Sequence, residues 1–564
     1  MNRPAADAAE PLRVYLACGF TPLHVATLLG AQLRQRLDDD RSVDVQTGLF
    51  GDLRGNLHRA IEASPDAVAL MIEWADLDPR LGYRSSHGWR PGQQTDIAKT
   101  VGSRLAKLRE SVEAAAQRTV VAVALPTLPL PPCFQPPLAR ADATAFVLRE
   151  MTAQFAASLA AGGSVRVLDP QRLDQLSPHG DRLDLSLLLR SGFPYRLEHA
   201  SVLGWLLAEL IRPATAMKGI ITDLDDTLWR GVLGEDGIDG ISWDLDHQSH
   251  AHALYQEMLA SLAESGVLIG VASKNDPHRV AEALRRDDLV IAADRLFPIE
   301  AHWGPKSQSV GNILRAWNVG PESVAVIDDS PMELAEIGAA FPQIKCLAFP
   351  TRDDPAVLDL LAALRDLFGK PSISQEDRLR ASSIRTAHDR SVAAPTTDPD
   401  EFLAEANARI TLSYDDSGRR AFELINKTNQ FNLNGRRIDE PHWRRHRRDV
   451  GRFLLSVSYR DKFGPLGKIS VVSGRLEERE LLIDVWVMSC RAFSRRIEHQ
   501  VLKGLFDRFD VDAMRLDFAA TDRNAPLQEF LRSVTGRDPA VAARISREEF
   551  LARCPHVFAQ ISTQ

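Results

Sequence analysis

Apolar positions follow two different rhythms along the chain. Near its start, residues 13–17 read as a short strand, and Leu23, Val25, Leu28, Leu29 and Leu33 follow at helical spacing. The apolar runs 67–72 and 119–125 each stand beside a longer amphipathic stretch. Such alternation of strand and helix predicts an α/β layer on a mainly parallel sheet. The Pro-rich run 126–137 is a loop, because successive prolines offer no N–H to a ladder. A second strand–helix series begins near Lys218, with strands predicted at 218–222, 267–272 and 324–328, each ending in polar residues. After a stretch rich in Ser, Thr, Pro and charge the pattern changes. There 453–459, 469–472 and 480–488 read as successive strands, and 495–509 as an amphipathic helix. Three domains are expected, at 1–212, 213–370 and 400–564, with a linker at 371–399.

Composition narrows the class without naming a function. A chain of 564 residues has room for roughly three or four domains of ordinary size. Hydrophobic residues make up 44% and charged residues 26%, the balance of a globular protein. Lys and Arg number 68 against 76 Asp and Glu, so the net charge of −8 argues against a nucleic-acid partner. No apolar run approaches the roughly 18–20 residues of a membrane helix, so no membrane partner is expected. Asp7 and Glu10 interrupt the first residues, and no secretory leader is expected. Cys18, Cys133, Cys346, Cys490 and Cys554 lie far apart, which suggests a reducing, cytoplasmic setting and no disulfide framework.

The strongest chemical signal is Ile220-Ile221-Thr222-Asp223-Leu224-Asp225-Asp226-Thr227. An apolar strand here delivers two carboxylates, two residues apart, to its C-terminal end, where ligands gather in open α/β sheets. One carboxylate can attack phosphorus while the other moves protons. Positive charge must offset the anions, and Mg²⁺ suits oxygen ligands of this kind. Three later elements complete the set. Ser273-Lys274-Asn275 ends one apolar strand, Gly304-Pro305-Lys306 supplies a cation, and Asp328-Asp329 ends another strand. A lone Asp-x-Asp is commonly a turn or cap; four ordered elements are not. Asp223 and Ser273 lie 50 residues apart, Ser273 and Lys306 33, and Lys306 and Asp328 22, which leaves no room for a separate lid domain. An open site of this kind would suit a substrate borne on a macromolecule.

The order Asp-x-Asp-x-Thr, Ser, Lys, Asp-Asp resembles the haloacid dehalogenase (HAD) superfamily of phosphatases and phosphotransferases. The resemblance implies a HAD Rossmann-like parallel sheet without a cap domain, Asp223 as nucleophile and Asp225 as general acid/base. It puts Thr227, Ser273, Lys274, Asn275 and Lys306 around phosphate. Asp223, Asp328, Asp329 and Asp225, the last through its carbonyl, would hold Mg²⁺. The wording Thr227-Leu228-Trp229-Arg230-Gly231-Val232-Leu233-Gly234-Glu235-Asp236-Gly237 resembles the FkbH-like proteins more narrowly. So do Asp328-Asp329-Ser330-Pro331-Met332-Glu333, Asn426-Lys427-Thr428-Asn429-Gln430-Phe431-Asn432 and Met488-Ser489-Cys490-Arg491. Those proteins take 1,3-bisphosphoglycerate, release phosphate and load a glyceryl unit onto the phosphopantetheine thiol of an acyl carrier protein. A phosphorylated glycerate and an acyl carrier protein are therefore the implied partners. The alternatives are a Mg²⁺-dependent HAD phosphatase for a sugar or glycan precursor, and a non-enzymatic carrier-protein docking scaffold.

Residues 480–488, followed by Cys490, Arg491 and a helix, resemble a GNAT-like α+β acyltransferase core. Ser494 and Arg496 stand where that family's phosphate loop has glycines. Cys490 is the candidate for a covalent thioester, aided by Arg491 and the helix start; the alternative is a small core residue. Asn426, Asn429, Gln430, Asn432 and Asn524 suit either a hydroxyl-rich ligand or a capped loop. The basic run Arg444-Arg445-His446-Arg447-Arg448 would steer an acidic carrier protein or simply form a solvated helix face. In the N-terminal third, Phe193-Pro194-Tyr195-Arg196-Leu197-Glu198-His199 resembles the last block of an SGNH-hydrolase-like α/β domain. That family's serine and aspartate are replaced by the Ala17–Thr21 stretch and by Arg196, so a non-catalytic docking or scaffold domain is expected, with Cys18 as an alternative nucleophile.

Overall fold

The computed structural model describes residues 10–37, 41–85, 89, 92–139, 143–161, 165–370, 373, 377, 380, 384–385, 403–414, 418–428, 430–462, 464–489, 492–493, 495–521, 524–538 and 543–563. The chain forms two compact units, Met1–Ala214 and Thr215–Gln564. Among the described residues no helix is long and apolar enough to cross a membrane.

The first unit is built on a five-stranded, all-parallel sheet. Its strands are β1 (Leu12–Ala17), β2 (Val43–Thr47), β3 (Ala67–Met71), β4 (Val120–Ala124) and β5 (Val165–Val167), in the order β2-β1-β3-β4-β5. β3 and β4 are buried along their whole length, as continuous apolar runs in a parallel sheet must be. Helices Leu23–Gln35 and Leu197–Ile211 lie together and bring leucines, Val25 and Ala200 to one face, while helix Gln94–Ala116 covers the other. Chain order reverses between β1 and β3, the point at which such sheets open a crevice beyond their strand ends.

The second unit starts with another five-stranded parallel sheet. It comprises β6 (Gly219–Thr222), β7 (Leu268–Ser273), β8 (Leu296–Ala301), β9 (Val324–Asp328) and β10 (Lys345–Ala348), ordered β10-β9-β6-β7-β8. Trp317, at the end of helix Lys306–Trp317, packs on this sheet where Gly219 and Gly270 stand. A Cβ on either glycine would lie 2.5 Å and 2.8 Å from the indole, so side chains there would push it off. Here the reversal of order falls between β6 and β9. Residues between β6 and helix His250–Glu264 form a loop with one short helical turn, Leu233–Asp236, and no inserted domain.

The same unit ends in a mixed seven-stranded sheet: β11 (Arg409–Ser413), β12 (Arg452–Asp461), β13 (Gly464–Glu477), β14 (Glu480–Met488), β15 (Ala513–Leu516), β16 (Ala543–Ser546) and β17 (Gln560–Thr563). The order is β16-β15-β14-β13-β12-β11-β17. β14 pairs antiparallel with β13 and parallel with β15, but with β15 only over Glu480 to Ile483. Beyond Ile483 the free edge of β14 is taken by Phe431, Asn432 and Leu433. Leu433 N donates to Trp486 O at 2.9 Å, and Met488 N to Phe431 O at 2.9 Å. Ala519 N in turn donates to Leu433 O at 3.1 Å.

Candidate functional site

β6 and β9 neighbour one another in register, so the residues that follow them meet at the reversal point of the sheet. Asp223, next after β6, donates its N–H to Ile327 O at 2.9 Å, which ties the two strand ends together. Carboxylate oxygens of Asp223, Asp328 and Asp329 converge within 4.8 Å of one another. Lys306, the first residue of its helix, reaches in from the side. Its Nζ lies 3.0 Å from Asp223 Oδ1 and 2.5 Å from Asp328 Oδ2, and it also contacts Glu333. Glu333 sits in the first turn of helix Pro331–Ala340 and holds Lys274 at 3.1 Å through its other oxygen.

Charge and burial oppose each other here. Burial above all pushes the Asp223 carboxyl up to about 7; Lys306 works against this shift and Asp328 adds to it. Asp329 is raised to about 6 by burial and then by Asp328. Lys306 is itself deeply buried, yet the carboxylates around it more than offset that burial and keep it an ammonium. Three clustered carboxylates and Glu333 face one central ammonium, so negative charge is left over. The donor set consists of hard oxygens, and the excess charge suits a small divalent cation such as Mg²⁺.

The Asp225 carboxylate is not one of that cluster. Its Oδ1 accepts from Trp229 Nε1 at 3.0 Å and from Leu233 N at 3.1 Å; its Oδ2 accepts from Asn275 Nδ2 at 2.9 Å. Both its oxygens are thus engaged by hydrogen bonds outside the cluster, an arrangement compatible with the ligand role through the main-chain carbonyl that the resemblance implies. The turn after it depends on Asp226, whose φ is +49, in the left-handed region that Asp tolerates. Gly231 N donates to Asp226 Oδ1 at 2.9 Å and closes the loop that presents Trp229 and Leu233 to Asp225.

The other expected phosphate residues differ in placement. Ser273 ends β7 with its Oγ accepting from Asn275 Nδ2 at 3.1 Å. Thr227 is completely buried, and its Oγ1 has no hydrogen-bond partner among the described residues. Its carbonyl lies 2.9 Å from His252 Nδ1, which fixes the backbone of the loop at this point. Lys274 is occupied by Glu333. Glu333 and Trp229 were not expected as site residues; both stand inside the motifs, yet a first-turn Glu reads equally as a helix-start residue.

Cys490, Arg491 and Asn429 lie outside the described residues. The remaining asparagines bind their own backbone. Asn426 Nδ2 donates to Ile438 O at 2.8 Å and its Oδ1 accepts from Ile438 N at 3.0 Å. Asn432 caps Thr428 and Gly435, and Asn524 Nδ2 donates to Asn432 O at 3.0 Å. In the first unit, His199 is buried between Thr127 Oγ1 at 3.0 Å and Ser177 Oγ at 2.8 Å. Burial, then the charge of Asp76, pushes the Cys18 thiol up to about 12, which leaves no thiolate for attack.

A scan of protein-family models gives no match, and neither does a search of curated proteins. Among solved structures, the chain is similar to the N-terminal part of the protein BF1531 from Bacteroides fragilis, described as containing a phosphatase domain complexed with Mg. Identity is 18%, the TM-score is 0.52, and the match covers 64% of this chain and 95% of that one. A region of a fungal multi-domain β-N-acetylglucosaminidase described as a GCN5-related glucosamine N-acetyltransferase aligns at a TM-score of 0.13, too low to carry weight. At that identity the likeness is one of fold: the chain shares the fold of that phosphatase-containing structure, and its own carboxylate cluster stands at the reversal point of the parallel sheet β6–β10.

Proposed function

We propose that the protein is a Mg²⁺-dependent HAD-type phosphatase acting on a phosphorylated small molecule of the sugar or glycan-precursor class. The observation that carries this reading is the convergence of Asp223, Asp328 and Asp329 at one sheet reversal point, with Lys306 between them. Asp223, Asp328 and the Asp225 carbonyl would hold the ion, which supplies charge neutralisation for the phosphoryl oxygens. The Asp223 oxygen attacks phosphorus, the bond to the leaving oxygen breaks, and Asp225 passes that oxygen a proton. Asp225 then takes a proton from water, which attacks phosphorus, releases phosphate and restores the Asp223 carboxylate. Asn275 fixes both Asp225 and Ser273, and so sets the acid/base against the phosphate-binding hydroxyl.

The test is phosphate release from a panel of sugar phosphates, with Mg²⁺ and with chelator. Release that needs Mg²⁺ and disappears in Asp223→Asn supports the reading; release that survives in that variant overturns it.

A second reading extends the first. The FkbH-like wording of the motifs, in a chain that joins a phosphatase-type sheet to a separate mixed sheet, favours glyceryl transfer from 1,3-bisphosphoglycerate to a carrier-protein thiol. A glyceryl mass increment on a phosphopantetheinylated carrier protein, absent with Cys490→Ala, is its expected signature.

A further inference from the structure

The first unit contains a cleft of about 710 Å³ that none of the chemistry above uses. It opens beyond the C-terminal ends of β1, β2, β3 and β4, across the β1/β3 reversal point, where parallel α/β sheets bind ligands. Its walls are largely apolar, with Phe20, Phe50, Trp74, Leu81 and Leu128 among them. Its size is within the range of pockets that enclose a small organic molecule.

Four cations also line it: Arg54, Arg84, Arg104 and Lys107. All four are exposed, and none forms a salt bridge with a carboxylate among the described residues. Elsewhere in the unit Arg36 pairs with Glu209, Arg59 with Asp52, Arg80 with Asp78 and Arg182 with Asp174, while Arg118, Arg149 and Arg190 stand singly among the described residues and far apart in sequence. The cleft is where four such cations line one cavity. Arg84 is held over the Phe50 ring at 5.1 Å, and Arg104 donates to Asp76 O at 2.6 Å, so two of the cations are already positioned.

Three acids line it too: Asp52 pairs with Arg59 and caps helix Leu53–Ala63, and Glu73 and Asp76 have different tasks. Glu73 is fully engaged: Tyr195 OH, Thr127 Oγ1, Thr127 N and Leu128 N all donate to it. Asp76 is engaged on one side only. Its Oδ2 accepts from Glu73 N at 2.9 Å, while its Oδ1 has no hydrogen-bond partner among the described residues. That oxygen lies against Gly19, where a Cβ would come within 1.7 Å of it; only glycine leaves it room. Burial above all pushes the Asp76 carboxyl up to about 7, so near neutrality it is available as a donor as well as an acceptor.

We propose that this cleft is a second ligand site, shaped for a small amphipathic organic anion whose head group meets Arg84, Arg104 and Lys107 while its apolar body lies between Phe20, Trp74 and Leu128, with Asp76 Oδ1 available for one polar group. The site is independent of the phosphatase reading and involves no covalent step. His199 is enclosed by Thr127 and Ser177, so the cleft binds and does not hydrolyse.

The probe is 8-anilinonaphthalene-1-sulfonate, titrated into the full chain by fluorescence, with octanoate, octyl phosphate and octanol as competitors. Saturable binding is expected, with displacement by octanoate or octyl phosphate and none by octanol; the better competitor identifies the head group as carboxylate or phosphate. The variant R84Q/R104Q/K107Q changes only exposed side chains, and its thermal transition serves as the folding control. It should bind the probe at least tenfold more weakly. Absence of saturable binding, octanol competing as well as the anions, or a folded triple variant within twofold of the parent would each overturn the proposal.

Discussion

Lys306 donates to Asp328 across 2.5 Å, and both side chains are almost wholly removed from solvent. Such a contact is worth little as a pair but costly to break, because the surviving charge stays buried. Lys306→Met should destabilise the β6–β10 sheet by about 3–5 kcal/mol in chelator. Mg²⁺ should restore part of this loss by supplying charge at the same carboxylates. Hydrogen exchange of the β6 and β9 amides reads the effect. Protection equal to that of the parent in chelator would show that the ammonium is not their counter-charge.

Asn275 touches both Asp225 and Ser273, so its removal should disturb chemistry more than binding. Asn275→Ala is expected to lower kcat for phosphate release by about 10–100-fold, on the scale of a mispositioned acid/base, with KM moving much less. A rise in KM at unchanged kcat would assign Asn275 to substrate binding instead.

Burial first, then the charges of Arg182 and His179, lower His199 to about 3. Its ordinary value is 6.5, so between 6.5 and about 3 the unfolded chain carries a proton that the folded one refuses. The resulting stability is complete above pH 6.5 and is lost as pH falls toward 3, by about 1.4 kcal/mol per pH unit at most. The parent should therefore lose more stability than His199→Gln on acidification below pH 6.5, and no more above it. Unfolding of the first unit followed by hydrogen exchange across that range checks the slope.

Asn524 joins Asn432 O, Ala519 O and Thr521 N in one buried knot. Asn524→Ala should cost about 1–3 kcal/mol by leaving these groups unmatched. A shift of the thermal transition measures it, and an unchanged transition would leave the knot without energetic weight.

What could be seen in the sequence depended on how each element meets solvent. β3, β4, β6, β7 and β9 are buried along their length and appear as unbroken apolar runs. β2 and β8 are edge strands, partly exposed and mixed in polarity, and no run marks them. β13 spans Gly464–Glu477, but Gly464, Gly467 and Gly474 interrupt it and only its centre was legible. At the site, the acids at strand ends were evident because strand and motif coincide. The orientation of Asp225 was not, since the loop holding Trp229 and Leu233 and the distant Asn275 select it together. The asparagines were ambiguous for a related reason: the groups that satisfy Asn524 include a carbonyl 92 residues away.

The short segment Phe431 to Leu433 closes an edge that β14 would otherwise leave open. It is stitched by its main chain to β14 on one side and to Ala519 on the other, which seals the place where β14 and β15 diverge. Any molecule seeking passage between those strands would meet a zipped seam, not a slot. Admission there would require three peptide–peptide links to part first, so entry would be no faster than the fraying of that seam.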